Sequence, residues 1–500
     1  MKYQLKGGVW ELTVACNMRC KHCGSSCTTK QDDELTTKEA LELCDQLADL
    51  GMEEITLSGG ELTLRDDWHL IAKRLIDHGI VTSMITNGWL LDDTMIAKAK
   101  DAGMRTIAIS IDGLQKTHDA IRRPGSFERD LVAIRKIRAA GINPGVVTTI
   151  HEANFPELEE MYDCFLDAGV TIWQFQIALP MGNFTHHKDL YLKKERVRQI
   201  IDFCYSKIDG DIRMCPSDCI GYFTEKEVLL TEKIVGSKAV WSGCPAGKRG
   251  IGILCNGDIV GCTSIRDKQF VAGNIRNTSL REIWESPDSF RWNREMKKSD
   301  LHGFCHDCIY GDQCLGGCSN SRYCFGGDIY SENEYCAWNY DMKEFVSGID
   351  ECDDEQELSQ FAYDCINRKH YQPALLATKK LIDRNPEQLR YQDWLAFLYF
   401  QIGDYESCIQ VNKTILEKDS TCNSALKGLG LATFMAGDHE KGLKLMKDSL
   451  ENGSADNYAD LYTALLQDGN PEEAAQIKKQ AQARFSIDIT TIPPANTPTP

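Results

Sequence analysis

No stretch of this chain is apolar for long enough to span a bilayer. Its first residues, MKYQLKGGVWELTVAC, lack the positively charged start, the apolar core and the small-residue cleavage site of a secretory signal. Positive charge is in short supply: 56 Lys and Arg face 74 Asp and Glu, a net charge of −18. Non-specific nucleic-acid binding needs a basic surface, so nucleic acid is excluded as a partner. With neither a membrane span nor an export signal, the expected location is the cytoplasm. At 500 residues the chain exceeds what one compact core holds, so two or three domains are expected.

Cysteine is what the chain has in excess: 22 residues. Disulfides are rare in a reducing compartment, so clustered thiols there bind metal or do chemistry. Cys16, Cys20, Cys23 and Cys27 crowd into ACNMRCKHCGSSC, and nine more lie between Cys244 and Cys336. Cys44, Cys164, Cys365 and Cys408 fall in helix-like segments and read as small buried apolar residues.

Residues 9–180 alternate strand and helix patterns. The strand candidates are 9–14, 54–59, 81–86, 106–112, 145–150 and 171–176. Repeated strand–helix units predict a parallel sheet with helices outside, here an α/β partial (βα)6 barrel over 1–180. In such a barrel the chemistry sits at the C-terminal ends of the strands, where the first thiol cluster falls. Residues 181–243 read as a bridge. Residues 244–345 are rich in Cys and Gly and poor in apolar runs, so they need metal staples to fold.

Residues 358–484 are helical and repetitive. The turns KHYQPA, GDYESC, GDHEKG and GNPEEA place Tyr371, Tyr405 and His439 at 34-residue intervals, with Pro471 following after 32. That period resembles tetratricopeptide repeats. Ala362, Ala396 and Gly430 take the small-residue position nine before each turn, where two helices pack closely. Residues 485–500, ending TIPPANTPTP, read as a disordered tail.

Cys16, Cys20 and Cys23 form CxxxCxxC on a loop after strand one. Three thiolates can hold three corners of an iron–sulfur cubane and leave the fourth iron open. Zinc is the competing occupant, but a structural zinc site closes with four ligands. With SGGE (Ser58, Gly59, Gly60, Glu61) after the second strand, TNG after the third and ISIDG ending the fourth, residues 9–180 resemble the radical S-adenosylmethionine (SAM) enzymes. The resemblance implies a SAM-binding 4Fe–4S cluster on the three thiols. It implies SAM contacts from Ser58, Gly59, Gly60 and Glu61, with Glu61 suited to the amino group. It further implies that Asn87 walls the pocket, that Ser110 and Asp112 serve the carboxylate or ribose, and that Arg122, with Arg123 as rival, serves the carboxylate. Cys27 is surplus to the motif.

The later thiols read Cys244, Cys255, Gly257, Cys262, then Cys305, Cys308, Cys314, Cys318, then Cys336. The CxxCxxxxxCxxxC core allows zinc knuckles by spacing alone. With its flanking cysteines it is similar to the SPASM extension of radical SAM enzymes. That resemblance implies two auxiliary 4Fe–4S clusters. One is held by Cys244, Cys262 and Cys318, with Cys255 as fourth candidate. The other is held by Cys305, Cys308, Cys314 and Cys336. Cys324 is surplus, and Cys215 and Cys219, in MCPSDC, read either as thiols that cap or feed a cluster or as a loop pair with no role.

The implied activity is that of a peptide-modifying oxidoreductase. It generates a 5′-deoxyadenosyl radical and modifies a ribosomally synthesised peptide, by thioether or carbon–carbon crosslinking, epimerisation or a related oxidation. The implied partners are a precursor peptide or protein, and an electron donor such as flavodoxin or ferredoxin. Fifteen residues before Cys16 leave no room for a leader-binding domain, so the repeats at 358–484 are expected to recruit the precursor or a partner. The alternatives are a sulfatase-maturase-like formylglycine-generating enzyme, and a metal-stapled electron-transfer or binding scaffold without activity. Tyr222, Asp218 and Gln174 are further pocket candidates.

Overall fold

The structure, a computed structural model, describes residues 3–217, 219–222, 224–236, 241–367 and 369–492. Asp218 and the proline- and threonine-rich end beyond residue 492 lie outside the described residues. The chain divides into two units, Met1–Tyr340 and Asp341–Pro500.

In the first unit the six expected strands all form: β1 (Gly7–Glu11), β2 (Glu54–Ser58), β3 (Val81–Thr86), β4 (Thr106–Ser110), β5 (Asn143–Ile150) and β6 (Ile172–Ile177). They pair in parallel and in chain order. β1 stops three residues before its predicted end because the backbone there turns to another partner. The carbonyls of Thr13 and Ala15 accept from Gly60 and Glu61, each at 2.7 Å. Both glycines serve this contact. A Cβ on Gly59 would lie 2.5 Å from the Thr13 carbonyl, and one on Gly60 2.3 Å from that of Ala15. The loops after β1 and β2 are thereby locked backbone to backbone.

Helices Thr37–Asp49, Trp68–Asp77, Asp93–Ala102, Ser126–Ala139 and Leu158–Ala168 follow successive strands. Each turns an apolar stripe to the sheet, burying Leu43, Ile71, Ile96, Ile134 and Phe165. The first starts from a capping box between Thr36 and Glu39.

The sheet runs further than the alternation predicts. β7 (Arg213–Pro216), in the bridging region, pairs in parallel with β6. β8 (Gly250–Ile253), from the Cys-rich region, pairs in parallel with β1. An antiparallel β9 (Asp258–Val260) and β10 (Val271–Asn274) complete the order β10-β9-β8-β1-β2-β3-β4-β5-β6-β7. The Cys-rich segment is thus built partly on the sheet, and Ile251, Ile253 and Ile259 join its core.

The second unit is helical. Among its described residues, helices Glu355–Asn367, Tyr371–Arg384, Leu389–Gln401, Tyr405–Lys418, Asn423–Met435, His439–Asp448, Ala455–Gln467 and Pro471–Phe485 form four hairpins. The second helix of each starts at the expected turn. Ala362 and Ala396 are buried, and a Cβ on Gly430 would lie 2.7 Å from Met446 Cγ, which is why that position stays small. The expected tail starts too early: Ile489 is 1% exposed and packs into the last hairpin's core, so residues 485–492 belong to the fold. Among the described residues no helix is long and apolar enough to cross a membrane.

Candidate active site

The loop carrying Cys16, Cys20 and Cys23 stands at the C-terminal end of β1 and is held from three sides. At its base Ala15 bridges Thr28, and Cys16 N–H donates to the Thr28 carbonyl at 3.0 Å. Lys21 N–H reaches the Ile121 carbonyl at 3.0 Å. Beyond β6, Asn183 donates its backbone N–H to Cys23 O and its side-chain amide to Cys20 O, both at 3.0 Å. Gly182 lets that segment approach. Its φ is +54°, and a Cβ there would lie 2.4 Å from the Gly24 carbonyl. From the Cys-rich region, Arg266 reaches back to Glu11 and Ser25.

The three thiols lie close enough to feel one another's charge. Burial pushes Cys16 up and Cys20 up to about 11, and neighbouring thiolates push in the same direction. Cys23 moves down instead, chiefly because Cys27 donates a hydrogen bond to its sulfur, and Cys27 moves up in consequence. Cys27 is thereby tied to the third thiol of the CxxxCxxC run. Thiols whose ionisation is this costly together are relieved by a cation that takes them as thiolates. The donor set suits an iron–sulfur cluster with one open corner.

Around this loop the strand ends form one buried polar network. Glu61, 1% exposed, accepts from Thr63 N–H (3.1 Å), Thr63 Oγ1 (2.6 Å), Thr86 Oγ1 (2.8 Å) and Asn87 N–H (2.7 Å). The carboxylate expected to meet an amino group is thus spent mostly on tying the end of β2 to that of β3. Asn87 points to the thiol loop, its amide 2.6 Å from Asn17 Oδ1 and 3.9 Å from Cys16 Sγ. Asp112 is fully buried. It accepts from Thr149 N–H at 2.7 Å, meets His22 Nε2 at 2.7 Å and is paired with Arg122. Burial works against its charge, but Arg122 and His22 outweigh it and hold the carboxyl well below the ordinary range. Arg122 is accordingly held charged, while Arg123 stacks on Trp89 and donates to the Asn17 carbonyl. Ser110 is buried two residues before Asp112, and Ser58 ends β2 beside Glu11.

His22, His118 and His151 belong to this network and were not singled out from sequence. His22 had a signal, since it lies inside CxxxCxxC. His151 ends next to it, with ring centroids 6.4 Å apart. Neither His151 nitrogen has a hydrogen-bond partner among the described residues, nor do His22 Nδ1 and Asn17 Nδ2. Buried polar atoms without partners beside the thiol loop suit a polar ligand such as SAM.

His151 sets a pH dependence. Burial pushes it down to about 4, against an unfolded value near 6.5. As pH falls through 6.5 the unfolded chain takes the proton first, so this contribution to stability is full above 6.5 and lost toward 4. Asp130, held high by burial, acts in the opposite direction. The difference between the parent and His151→Leu isolates the histidine. Over that window the parent's stability should fall more steeply by roughly 1.4 kcal/mol per pH unit, read from denaturant midpoints. Parallel curves would contradict it.

The later thiols gather in two places. Cys305, Cys308, Cys314 and Cys336 line one cavity with Tyr222, Asn333 and Trp338, and the other three all press on the Cys336 charge. Asn333 N–H donates to Cys305 Sγ at 3.4 Å. Among the described residues no three His, Cys, Asp or Glu side chains converge as tightly as a single ion requires, and these thiols ring a cavity instead. Burial pushes the Cys318 thiol up, and the charges of Cys219, Cys244 and Cys262 push it the same way. Cys255 is not among them. Its sulfur is 3.9 Å from Gln31 Oε1, among the charges of Glu11, Glu34 and Asp33. Cys324 meets Asn320, Cys215 lies on β7, and Gln174 lies on β6.

The chain matches two family profiles: the radical SAM superfamily over residues 10–165, and an iron–sulfur cluster-binding (SPASM) domain over residues 244–309. It is 31% identical over 340 residues to an AdoMet-dependent heme synthase of Methanosarcina barkeri, covering 66% of this chain and 95% of that protein. It is 26% identical over 330 residues to the mycofactocin maturase MftC of Mycolicibacterium smegmatis, covering 65% and 81%. In fold it resembles Streptococcus suis SuiB, solved bound to S-adenosylmethionine, with a TM-score of 0.55 at 15% identity over 67% of this chain and 78% of that one.

Proposed function

Because the chain belongs to the radical SAM superfamily and carries the SPASM iron–sulfur extension, we propose that it is a maturase acting on a peptide or protein delivered by its helical repeats. It is a radical SAM enzyme, using a 4Fe–4S cluster, SAM and auxiliary iron–sulfur clusters. When bound, these groups supply reductive SAM cleavage and hydrogen abstraction by a 5′-deoxyadenosyl radical. Cys16, Cys20 and Cys23 would hold the first cluster, with Cys27 hydrogen-bonded to one of them. Arg122, kept charged by Asp112, supplies a buried cation whose charge bears on Cys16 and Cys20. Glu61, Asn87 and Asp112 fix the strand ends, and the closed packing around them keeps water from a reactive centre. An external one-electron donor of flavodoxin or ferredoxin type completes the requirement.

The observation that carries the peptide reading is the helical unit. The matched relatives cover about two thirds of the chain, a length close to that of the first unit. The helical unit presents a repeated apolar position: Tyr363 and Phe397, 44% and 39% exposed, with Leu431 next in the series, each following the small residue of its hairpin. Stacked hairpins of this kind offer an extended surface to a peptide. Relatedness to a named maturase supports the same reading. The heme synthase relative favours a second one, in which the product is heme rather than a modified peptide.

Tyr363→Ser with Phe397→Ser in the full chain separates them. On the peptide reading, KM for the precursor rises about tenfold or more, since exposed aromatic anchors carry binding energy. SAM cleavage without substrate stays unchanged. An unaltered KM removes the repeats from recruitment. Heme formation from a porphyrin precursor, with no mass change on any peptide, replaces the peptide reading with the second.

A further inference from the structure

We infer that Cys219 is the fourth thiolate of the auxiliary cluster held by Cys244, Cys262 and Cys318, which closes that cluster to substrate. The inference rests on the cofactor assignment above and adds a ligand to it. Cys219 comes from the barrel side of the first unit, three residues beyond β7, and is 8% exposed. Its segment is clamped onto the Cys-rich region. Gly221 bridges Cys336, and its carbonyl accepts from Ala337 N–H at 3.2 Å. Tyr222 Oη accepts the Cys318 N–H at 2.8 Å, and its ring lies where a Cβ on Gly317 would be, 2.7 Å away. Cys219 belongs to the buried core of the first unit, and Cys318 packs against that core. Of the thiols whose charge bears on Cys318, Cys219 comes first, then Cys244 and Cys262.

Cys255 offers the contrast. Its backbone carbonyl is engaged by Leu35 N–H at 2.8 Å, and its sulfur faces Gln31. Three thiols from the Cys-rich region and one from the barrel make a four-cysteine set, which fills every corner of a cubane. No iron then keeps a position for a substrate atom. The Cys219 sulfur also accepts the N–H of Ile177, the last residue of β6, at 3.3 Å, and stands 3.2 Å from Ser217 Oγ. Hydrogen bonds to a ligand sulfur tune a cluster's potential, and here the donors come from the barrel's C-terminal end.

The test uses the full chain with Cys16, Cys20 and Cys23 replaced by alanine, so that only auxiliary clusters report. Reduced samples of this parent, of added Cys219→Ala, Cys219→Ser and of Cys255→Ala are compared by electron paramagnetic resonance with and without cyanide. The parent and Cys255→Ala should hold about eight irons and ignore cyanide. Cys219→Ala should either bind cyanide at one cluster, shifting its signal, or lose about four irons. Cys219→Ser should keep the iron with shifted g-values, which guards against a variant that merely misfolds. Iron present and spectra identical in all four would overturn the assignment alone. So would cyanide binding to the parent. Zinc in place of iron would overturn the cofactor reading and the assignment with it.

Discussion

Alanine at Cys16, Cys20 and Cys23 together is expected to abolish 5′-deoxyadenosine release while removing only about four of about twelve irons. The three thiols share one loop, and their ionisation is mutually costly, so no two of them replace the set. The auxiliary thiols are held by other segments, with Cys336 facing Cys305, Cys308 and Cys314, and Cys318 facing Cys244 and Cys262. Their iron should survive. Cys27→Ala is the milder relative: it removes the hydrogen bond to Cys23 and leaves the ligand set intact. Iron, sulfide and product measured on the same anaerobic samples check both. Residual SAM cleavage in the triple variant would mean that the chemistry sits elsewhere.

The second large effect is expected at Asp112. Asp112→Asn removes the counter-charge from Arg122 in a fully buried setting, and breaking such a pair by deleting one partner costs about 3–5 kcal/mol. Arg122→Met should cost less, because Asp112 keeps His22 at 2.7 Å and the Thr149 N–H at 2.7 Å. The double variant should recover part of the Asp112→Asn loss, since it no longer buries an unpaired guanidinium. Denaturant midpoints of the four proteins, followed by tryptophan fluorescence, check the order. Equal losses in the two single variants would show that the pair is not the source of the effect.

The sequence pattern showed the barrel and the repeats because both are periodic. β1 to β6 alternate with amphipathic helices, and the hairpins repeat their turns, so local spacing carried the architecture. What it could not carry was pairing across long distances. β8 is the run Gly-Ile-Gly-Ile inside a Cys-rich segment, and only its register with β1 makes it a strand of the same sheet. Cys255 looked like a ligand because it sits between Cys244 and Cys262 in the chain. In three dimensions the turn between β8 and β9 carries it toward Gln31, while Cys219 comes from the segment after β7. The motif residues were legible as a set, but their division of labour was not. Glu61 and Asp112 are taken up by internal donors, which no spacing reveals.

The most direct test of the account is iron and acid-labile sulfide per chain after anaerobic reconstitution, with 5′-deoxyadenosine measured on the same sample after reduction with SAM present. About twelve irons with matching sulfide, and SAM cleaved to 5′-deoxyadenosine, is the predicted result. Zinc in place of iron, with no cleavage, would contradict it.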